Sequence, residues 1–548
     1  ALRATGDDAL RAAAARIAAG GILALKGLGG FQLICDARDP RAVARLRERK
    51  GREEKPFAVM TATLESARAL CRTTPAEEAL LDSPESPIVL LRRRGEGVCA
   101  GVAPGTPLLG VLLPTTPLHH LLLRDLGFPV VATSGNLSEE PICTGNEEAF
   151  DRLGGVADGF LAHDRPIARH VDDSVVRVIA GRATLLRRAR GYAPMPILVG
   201  EPLEPVIAAG GQGKNTVGIA TSGGVVLSQH IGDLDTVAAR ETLARTADSL
   251  GRLFGFLPRK AACDAHAGYA STAWAGSLGI PVVPVQHHHA HVLSCLAEND
   301  APGPVLGVAW DGAGAGPDGT VWGGEFLRVD GNAWERVAHL RTFPLPGGDR
   351  AAREPRRAAL GMAFEIFGPD LPPEVARLFS PAELATLLGM LGARVNTPRT
   401  SSAGRVFDAV AALAGLRSRA AYEGQAAMEL EFAAEESETG DAWPLPLDGP
   451  ILDWEPLLRA LLDDLRAPLP VAVLAARFHN ALVDGIAAVA RRTGLQSVVL
   501  SGGCFQNGVL TGRAVGMLEN EGFRVFRHQR VPPNDGGLAL GQALAAGR

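Results

Sequence analysis

Four apolar strands beyond residue 205 run into glycine-rich turns, and this recurring unit is the strongest constraint on the fold. The stretches are "VIAAGG", "NTVGIATSGGVVLSQHIGDL", "VLGVAWDGAGAG" and "SVVLSGGCFQN". Small residues after a strand allow backbone N–H groups to approach phosphate oxygens closely. One such loop is typical of any α/β protein, whereas the recurrence indicates a duplicated, two-lobed domain with a nucleotide cleft.

Strands also alternate with helices in the N-terminal part, between Leu10 and Ile142. The apolar stretches "GILALKG", "KPFAVM", "SPIVLLRR" and "FPVVATSGN" are separated by segments such as "PRAVARLRERKG", and this alternation predicts an α/β layer. The proline- and glycine-rich stretch "GYAPMPILVGEPLEPVIAAGG" then predicts a boundary, so we expect one domain over residues 1–196 and a second over 197–548. The acidic, proline-bearing stretch "EFAAEESETGDAWPLPLDGP" predicts an exposed connector.

Length, charge and cysteine use narrow the classes of function. A chain of 548 residues exceeds what one hydrophobic core usually supports. The formal net charge of -5 gives no overall attraction to nucleic acid or to an anionic membrane, so we expect neither as a partner. Seven cysteines without a CxxC pair indicate neither a disulfide framework nor a structural zinc finger. Because no apolar run reaches the roughly 18 residues of a membrane span, we expect a soluble, cytoplasmic protein.

Polar side chains cluster at strand ends in the N-terminal part. They come from "LRERKGREEKPFAVM", "TSGNLSEEP" and "TLLRRARGYAP" and comprise Lys50, Arg52, Lys55, Thr133, Ser134, Asn136, Ser138 and Arg190. A triphosphate or acyl-adenylate site requires cations that neutralise charge and hydroxyls and amides that fix orientation. Taken singly, the basic run is also typical of a solvated helix face, and "TSGN" is typical of a plain turn.

The glycine turns of the C-terminal part supply a second group of candidates for a nucleotide cleft. The stretches "GGQGKNT", "WDGAGAG" and "SGGCFQN" and the helical "VFDAVAALAG" contribute Lys214, Asn215, Gly312, Asp408, Gly502, Gly503 and Asn507. Asp311 opens the second of these loops and has three interpretations. It would hold a phosphate-bound Mg²⁺, position a nucleophile or only form a turn.

The stretch "QHHHAHV" places four histidines within seven residues, directly after the apolar "GIPVVPV". We expect a strand followed by a helix, on which His287 and His291 share one face and suit a metal ion. Two ligands do not close a metal site, so a carboxylate from elsewhere is needed. The candidate is Asp535 in "PPNDGGLALGQALA", which is either a ligand or a simple helix cap.

Two sets of motifs resemble known families. The stretches "LRERKGREEKPFAVM" and "TSGNLSEEP", which follow residues 30–36, resemble a YrdC domain, a fold that makes acyl-adenylates from ATP. A second set resembles the Kae1-type domain of the actin-like ASKHA fold: "QHHHAH", "WDGAGAGPDGTVWGGEF", "FDAVAALAG", "YEGQAAMELE", "SGGCFQN" and "NDGGLALGQ". In this order the motifs cover essentially the whole chain and resemble the HypF family of carbamoyltransferases.

The resemblance implies that the first domain converts ATP, with Mg²⁺, and carbamate derived from carbamoyl phosphate into carbamoyl-adenylate. The second domain would pass the carbamoyl group to the C-terminal cysteine of HypE during maturation of nickel-iron hydrogenase. Residues matched to catalysis are Lys50, Arg52, Asp311, His287 and His291. Residues matched to nucleotide binding are Lys55, Thr133, Ser134, Asn136, Arg190, Lys214, Asn215, Gly312, Asp408, Gly502, Gly503 and Asn507. One divalent metal, Fe or Zn, is implied at His287, His291 and Asp535, with His288 and His289 as bystanders or supporting groups.

Members of that family begin with an acylphosphatase domain and a paired zinc-finger region, which this sequence does not contain. We therefore expect a truncated chain that keeps the adenylation and transfer steps but does not release carbamate from carbamoyl phosphate; a naturally short homologue is the alternative. Two other functions stay open: a threonylcarbamoyl-adenosine tRNA modification enzyme, and an ATP-binding regulatory module without transfer activity. The net charge and the "VWGGEF" and "NDGG" motifs argue against the tRNA enzyme.

Overall fold

The structure is a computed structural model that describes residues 3–95, 97–137 and 140–548; Ser138 lies outside the described residues. Within these ranges, three β-sheets of ten, six and nine strands, with helices packed on them, form an α/β protein. The predicted fold class is therefore confirmed.

The N-terminal part folds around the ten-stranded sheet. Its elements are α1 (Gly6–Ala18), β1 (Leu23–Lys26), β2 (Phe31–Asp36), α2 (Pro40–Lys50), β3 (Ala58–Met60), α3 (Leu64–Leu70), β4 (Cys71–Arg72), α4 (Pro75–Leu81), β5 (Ile88–Arg93), a 3-10 helix (Ala100–Val102), β6 (Leu108–Leu112), α5 (Pro117–Leu126), β7 (Val130–Ser134), α6 (Asn146–Leu153), β8 (Gly159–Leu161), β9 (Val175–Ile179) and β10 (Arg182–Arg187). The strand order is β10-β9-β5-β6-β3-β7-β2-β1-β8, with β4 beside β5.

The sequence analysis predicted β1, β3, β5 and β7 of this sheet but not β2, β4, β6, β8, β9 and β10. Strand β2 follows β1 after a short glycine turn and pairs antiparallel with both β1 and β7. The sheet is therefore mixed, because β2 returns directly beside β1 without an intervening helix. This return sets Gln32 of β2 opposite Ser134 at the end of β7.

Capping residues define the start and the end of helix α2, and the end of the helix fixes the position of Lys50. The Asp39 carboxylate accepts the N–H of Arg41 at 2.8 Å, and Pro40 occupies the first turn. Gly51 ends the helix with a φ of 64°, a left-handed conformation that favours glycine. Lys50 is consequently the last helical residue, and its side chain is buried.

The C-terminal part contains two lobes, as the repeated glycine turns predict. The six-stranded lobe contains β11 (Pro196–Ile197), β12 (Val206–Ala208), β13 (Gly218–Thr221), β14 (Gly224–Leu227), α7 (Val237–Phe254), β15 (Lys260–Asp264), α8 (Ala270–Gly276), β16 (Val282–Val285) and α9 (His287–Asn299), with strand order β11-β14-β13-β12-β15-β16.

The nine-stranded lobe follows. Its elements are β17 (Val305–Ala315), β18 (Val321–Asp330), β19 (Ala333–Leu340), β20 (Phe343–Pro344), a 3-10 helix (Gly348–Ala352), α10 (Pro355–Phe367), α11 (Pro373–Ala376), α12 (Pro381–Ala393), β21 (Arg399–Thr400), α13 (Ala403–Leu413), α14 (Gln425–Ala434), β22 (Leu447–Asp448), β23 (Ile451–Leu452), α15 (Glu455–Asp464), α16 (Val471–Thr493), β24 (Ser497–Ser501), a 3-10 helix (Gly503–Gln506), α17 (Gly508–Asn520), β25 (Arg524–Arg527), a 3-10 helix (Asp535–Gly537) and α18 (Leu538–Gly547). The main strand order is β22-β23-β19-β18-β17-β24-β25.

Gly312 and Gly314 of "WDGAGAG" lie within a strand and not in a turn, contrary to the sequence prediction. Strand β17 continues to Ala315, with a register shift against β18 between Trp310 and Gly314. Such a bulge bends a strand and redirects its side chains. A Cβ atom on Gly314 would lie 2.6 Å from His288, so the strand passes directly against helix α9.

Helix α9 begins at the histidine cluster. The side chain of Gln286 caps it, because its Oε1 accepts the N–H of His289 at 2.8 Å. All four histidines are buried. The remaining turns pack Val292 and Leu293 into the same core as Leu540 of α18, which fixes the helix against both lobes.

Among the described residues, α16 is long and apolar enough to cross a membrane by length and composition alone. Most of its apolar side chains, including Phe478 and Ile486, are buried in the core of the nine-stranded lobe. This arrangement is typical of the central helix of a globular domain.

A buried ion pair joins the N-terminal part to the nine-stranded lobe. The Arg177 guanidinium of β9 donates to the Glu431 carboxylate of α14 at 2.6 Å, and the same carboxylate accepts the N–H of Gly508 at 2.8 Å. Glu431 begins the stretch predicted to be an exposed connector. That prediction is wrong here, because Arg177 compensates the buried charge and Trp443 further along is also buried.

Replacing Arg177 with Met should leave Glu431 buried without its cation, at a cost of about 3–5 kcal/mol in the free energy of unfolding. Denaturant unfolding followed by circular dichroism measures this loss. Replacing Arg11 with Met in the exposed Arg11–Asp8 pair should change the free energy of unfolding by less than about 0.5 kcal/mol. Equal effects of the two substitutions would contradict a structural role for the interface pair.

Candidate active site

Lys50 joins the end of α2 to the loop after β7. Its Nζ donates hydrogen bonds to the Ser134 carbonyl at 2.6 Å and to the carbonyl and Oδ1 of Asn136 at 2.7 Å each. Burial, together with the positive charge of Arg52, lowers the pKa of Lys50 to about 7, whereas the three oxygen acceptors favour the ammonium form. The structure thus brings together three residues that the sequence assigned to the adenylate site.

Arg52 and Lys55 lie in the loop that follows α2. Arg52 donates to the carbonyls of Lys55, at 3.0 Å, and of Pro56. Burial lowers the pKa of Arg52 to about 10 and also lowers the pKa of Lys55, and Arg187 contributes to both shifts. Several cations therefore crowd one space, and a bound polyphosphate would neutralise them.

Arg190 and Thr133 lie near Ser134, one in a pocket wall and the other inside strand β7. The Arg190 guanidinium donates to the Asp173 carboxylate at 2.9 Å and to the Ser86 carbonyl at 2.7 Å. It lines a narrow pocket together with Ser134. Thr133 is buried inside β7. Both lie beside the Lys50 contacts, and their binding of nucleotide stays a prediction.

Four potential metal ligands converge between the two lobes of the C-terminal part. His287 and His291 come from α9, Asp311 from β17 and Asp535 from the 3-10 helix before α18. Asp311 Oδ2 lies 3.3 Å from His287 Nε2 and 3.4 Å from His291 Nε2, and Asp535 Oδ1 lies 3.7 Å from each. The structure therefore adds Asp311 to the three ligands proposed from the sequence.

The spacing of these four atoms fits a small divalent ion. Two ligands bound about 2.0–2.1 Å from a tetrahedral ion lie about 3.3 Å apart, close to the histidine–carboxylate separations given above. The His291 Nε2 atom is buried and makes no hydrogen bond of normal geometry among the described residues. Two imidazoles and two carboxylates suit Zn²⁺ or Fe²⁺, so this set of residues fits the predicted metal.

Asp264 at the end of β15 orients the first histidine. Its Oδ2 lies 2.6 Å from His287 Nδ1, which places the proton on Nδ1 and turns the Nε2 lone pair toward the cluster. Burial opposes protonation, but the charges of Asp264 and Asp311 outweigh it and raise the pKa of His287 well above its usual value. Metal binding at this site would displace a proton.

Gly502 and Gly503 bring the turn after β24 against Asp311. Gly502 has a φ of 98°, and a Cβ atom there would lie 2.2 Å from the Trp310 carbonyl oxygen, so only glycine fits. The N–H of Gly503 donates to Asp311 Oδ1 at 3.2 Å. One oxygen of Asp311 is held by this turn while the other faces the histidines.

Asn215 and Asn507 use their side-chain amides to stabilise turns. Asn215 Nδ2 donates to the carbonyls of Ala209 at 2.8 Å and Gly211 at 2.6 Å. Asn507 Oδ1 accepts the N–H of Leu510 at 2.9 Å and thereby caps α17. These contacts shape the predicted nucleotide turns, and direct contact of either amide with a nucleotide stays a prediction.

Asp408 and Gly312 lie close together beside the metal-ligand cluster. Asp408 is buried on α13 and pairs with Arg405, whose guanidinium would lie 3.5 Å from a Cβ atom on Gly312. Burial raises the pKa of Asp408 to about 6. The bulged part of β17 therefore runs beside a buried, charged helix.

Lys214 connects the metal-ligand cluster to the cations of the N-terminal part. Its Nζ lies 2.5 Å from the Glu423 carboxylate. Burial lowers the pKa of Lys214, but the negative charges of Glu423 and Asp535 outweigh burial and raise this pKa. Lys214 in turn adds to the lowering of the Lys55 pKa. Gln425, two residues beyond Glu423, donates to the Glu54 carboxylate in the loop between Arg52 and Lys55 at 2.6 Å, so the two candidate sites lie close together.

Comparison with known proteins gives the family. Family models match over residues 15–189 (Sua5/YciO/YrdC, described as telomere recombination), 201–298 (HypF Kae1-like domain) and 307–542 (carbamoyltransferase, Kae1-like domain, second subdomain). Carbamoyltransferase HypF of Synechocystis sp. is 41% identical over 98% of this chain and 73% of its own length. The chain belongs to the HypF carbamoyltransferase family.

Two further HypF proteins are similar over nearly the whole chain. That of Rhodobacter capsulatus is 45% identical, with 98% of this chain and 73% of its own length covered. A crystal structure of full-length HypF in a phosphate- and nucleotide-bound form is 42% identical, with a TM-score of 0.94 over 98% of this chain and 86% of that chain. The predictions of an ATP-dependent carbamoyltransferase and of YrdC-like and Kae1-like folds are confirmed.

Three residues of this HypF-type site were missed by the sequence analysis: Asp264, Arg405 and Glu423. Asp264 ends the apolar stretch "KAACD", so a polar residue at a strand end was a usable signal. Glu423 is the second residue of the "YEGQ" motif, but its distance in sequence from Lys214 concealed their ion pair.

Removing His291 with an alanine substitution should reduce the affinity for Zn²⁺ by at least about 100-fold, because a direct ligand is lost. Equilibrium dialysis against a competing chelator measures it. His289→Ala provides the matched control, since His289 lies on the same helix and outside the four-ligand cluster. Equal losses of affinity in both variants would contradict the assigned ligands.

Asp264→Asn keeps all four ligands but removes the carboxylate that fixes the His287 tautomer. We expect metal affinity to fall by about 10–100-fold. Competition titration with a fluorescent zinc chelator measures the change. Unaltered affinity would show that the His287 orientation does not depend on Asp264.

Proposed function

We propose that this chain makes carbamoyl-adenylate in its N-terminal part and transfers the carbamoyl group to the C-terminal cysteine of HypE, in the cytoplasm, during nickel-iron hydrogenase maturation. The observation that carries the proposal is the proximity of the two candidate sites, since Gln425 contacts Glu54 beside Lys55 and Glu423 contacts Lys214 beside the metal-ligand cluster. Carbamoyl-adenylate is a reactive mixed anhydride, and a short path between the sites limits its loss to water. We propose residues 1–196 as the adenylating domain and 197–548 as the transfer domain.

In the first step, a carbamate oxygen attacks the α-phosphorus of Mg²⁺-bound ATP. The bond from this phosphorus to the bridging oxygen breaks, and pyrophosphate leaves. Lys50, Arg52 and Lys55 would neutralise the charge that develops on the phosphates. Thr133, Ser134, Asn136 and Arg190 are proposed to bind and orient the nucleotide.

In the second step, the HypE thiolate attacks the carbamoyl carbon, the carbon–oxygen bond to AMP breaks and an S-carbamoyl group remains. His287, His291, Asp311 and Asp535 would hold a divalent metal, which when bound acts as a Lewis acid on the carbamoyl carbonyl. Gly503 keeps Asp311 oriented through its N–H. We propose that the nucleotide is held by the glycine turns and neighbouring groups: Lys214, Asn215, Gly312, Asp408, Gly502, Gly503 and Asn507.

Mass spectrometry of a HypE partner tests the proposal, after incubation with this chain, ATP, Mg²⁺ and freshly supplied carbamate. One carbamoyl group should appear on the C-terminal peptide. Lys50→Met should abolish both pyrophosphate release and carbamoylation. Asp535→Asn should keep pyrophosphate release but lose most carbamoylation, since it removes one metal ligand.

Lys260→Met is the matched control for the lysine variant, because Lys260 lies at the start of β15, at the opposite end of that strand from Asp264, pairs with Glu204 and is partly exposed. It should retain both activities. Full carbamoylation of HypE by the Asp535→Asn variant would contradict the transfer site. Carbamoylation of tRNA in place of HypE would favour the tRNA modification enzyme.

A further inference from the structure

The segment that leads to Asp535 is held from two sides. This bridging segment, Arg527–Asn534, runs from the end of β25 to the 3-10 helix that carries Asp535. It also supports the turn after β24, because the carbonyl of Pro533 accepts the N–H of Gly502 at 3.0 Å. Its position therefore affects one metal ligand directly and the turn at Asp311 indirectly.

On one side the bridging segment is held by Glu298, in the last turn of α9. The Glu298 carboxylate accepts three consecutive backbone N–H groups, from Gln529 at 2.9 Å, Arg530 at 2.9 Å and Val531 at 3.1 Å. Glu298 is 8% exposed. The helix that carries His287 and His291 thus also holds the segment that leads to Asp535.

A second contact links the bridging segment back to His291. The Ser501 hydroxyl lies 2.8 Å from His528 Nε2 and 2.8 Å from the His291 carbonyl oxygen. His528 Nδ1 lies 3.1 Å from Glu298 Oε1. All these groups are buried, so water does not compete for the contacts.

The N-terminal domain holds the other side of the bridging segment. Arg527 donates to the Ile179 carbonyl, at 2.6 Å, at the tip of the β9–β10 hairpin, and the N–H of Leu185 donates to the Gln529 carbonyl at 3.0 Å. Asn534 Nδ2 donates to the Leu186 carbonyl of β10 at 3.0 Å. The ligand Asp535 is therefore placed by contacts from both domains.

The cluster Cys295, Glu298 and His528 is itself compact enough to suggest a second metal site. The Glu298 carboxylate, however, already accepts three backbone N–H groups. Burial also raises the pKa of the Cys295 thiol well above its usual value, which opposes thiolate ligation. These contacts favour a clamp over a metal site.

We propose that Glu298 is a positioning residue for the metal centre, acting through the bridging segment to fix Asp535 relative to His287 and His291. This role rests on the proposed metal centre. A glutamine at residue 298 has one carbonyl oxygen in place of two carboxylate oxygens, and its NH₂ group would face backbone donors. At least one buried N–H would lose its acceptor, so the segment should shift or loosen.

Glu298→Gln tests this role in two independent measurements. Without metal, hydrogen exchange of the peptide covering residues 527–534 should accelerate by about tenfold or more, because the Glu298 hydrogen bonds protect its amides. With Co²⁺ as the probe, affinity should fall by about 10–100-fold. The visible spectrum at saturation should also change, because Asp535 no longer holds its position. Pyrophosphate release should stay normal.

Two controls separate positioning from general destabilisation. Glu335→Gln makes the same chemical change at an exposed position of β19 and should alter none of these properties. Leu544→Ala removes a buried side chain of α18 from the core it shares with α9. It should lower the unfolding temperature but leave the Co²⁺ spectrum of the folded protein unchanged.

A native Co²⁺ affinity and spectrum in the Glu298→Gln variant would overturn the positioning role, even if exchange became faster. Binding of a second Co²⁺ per chain with a thiolate charge-transfer band that Cys295→Ser removes would also overturn it, because Glu298 would then be a ligand. Failure of the unsubstituted chain to bind Co²⁺ would reject the proposed metal centre together with this role.

Discussion

The buried carboxylate of Asp311 and the half-buried carboxylate of Asp535 converge on the buried imidazoles of His287 and His291, and the candidate metal site depends on this convergence. Each of these groups is costly to bury alone, since the interior cannot replace the water that solvates a charge. Together they are complementary to a dication, whose two positive charges would balance the two carboxylates. The hydrogen bond of 2.6 Å from His287 to Asp264 fixes the orientation on which this balance depends.

The fold brings these groups together from distant parts of the chain. Helix α9 supplies the two histidines one turn apart, the bulge in β17 presents Asp311, and the bridging segment delivers Asp535. The glycine turn after β24 can approach Asp311 only because Gly502 has no side chain. The N-terminal domain takes part as well, through the β9–β10 hairpin and through the Arg177–Glu431 pair. The N-terminal and C-terminal parts are consequently joined by direct contacts.

Local pattern was sufficient to predict part of this arrangement. The i, i+4 spacing of His287 and His291 predicted a shared helix face, and the strand–glycine pattern predicted two lobes. Long-range partners were harder, because nothing in the spacing of Asp264 or Glu298 shows which chain segment their carboxylates will meet. Strand β2 was missed since a glycine turn, and not a helix, separates it from β1. The bulge in "WDGAGAG" looked like a turn because glycine is equally common in both.

X-ray absorption spectroscopy of the metal-loaded protein tests the proposed metal site most directly. With Zn²⁺ bound, the account predicts a first coordination sphere of nitrogen and oxygen at about 2.0–2.1 Å, with the multiple-scattering signal of two imidazoles and no sulfur. A zinc–sulfur distance of about 2.3 Å, or the signal of a single imidazole, would contradict the assignment of His287, His291, Asp311 and Asp535 as the ligands.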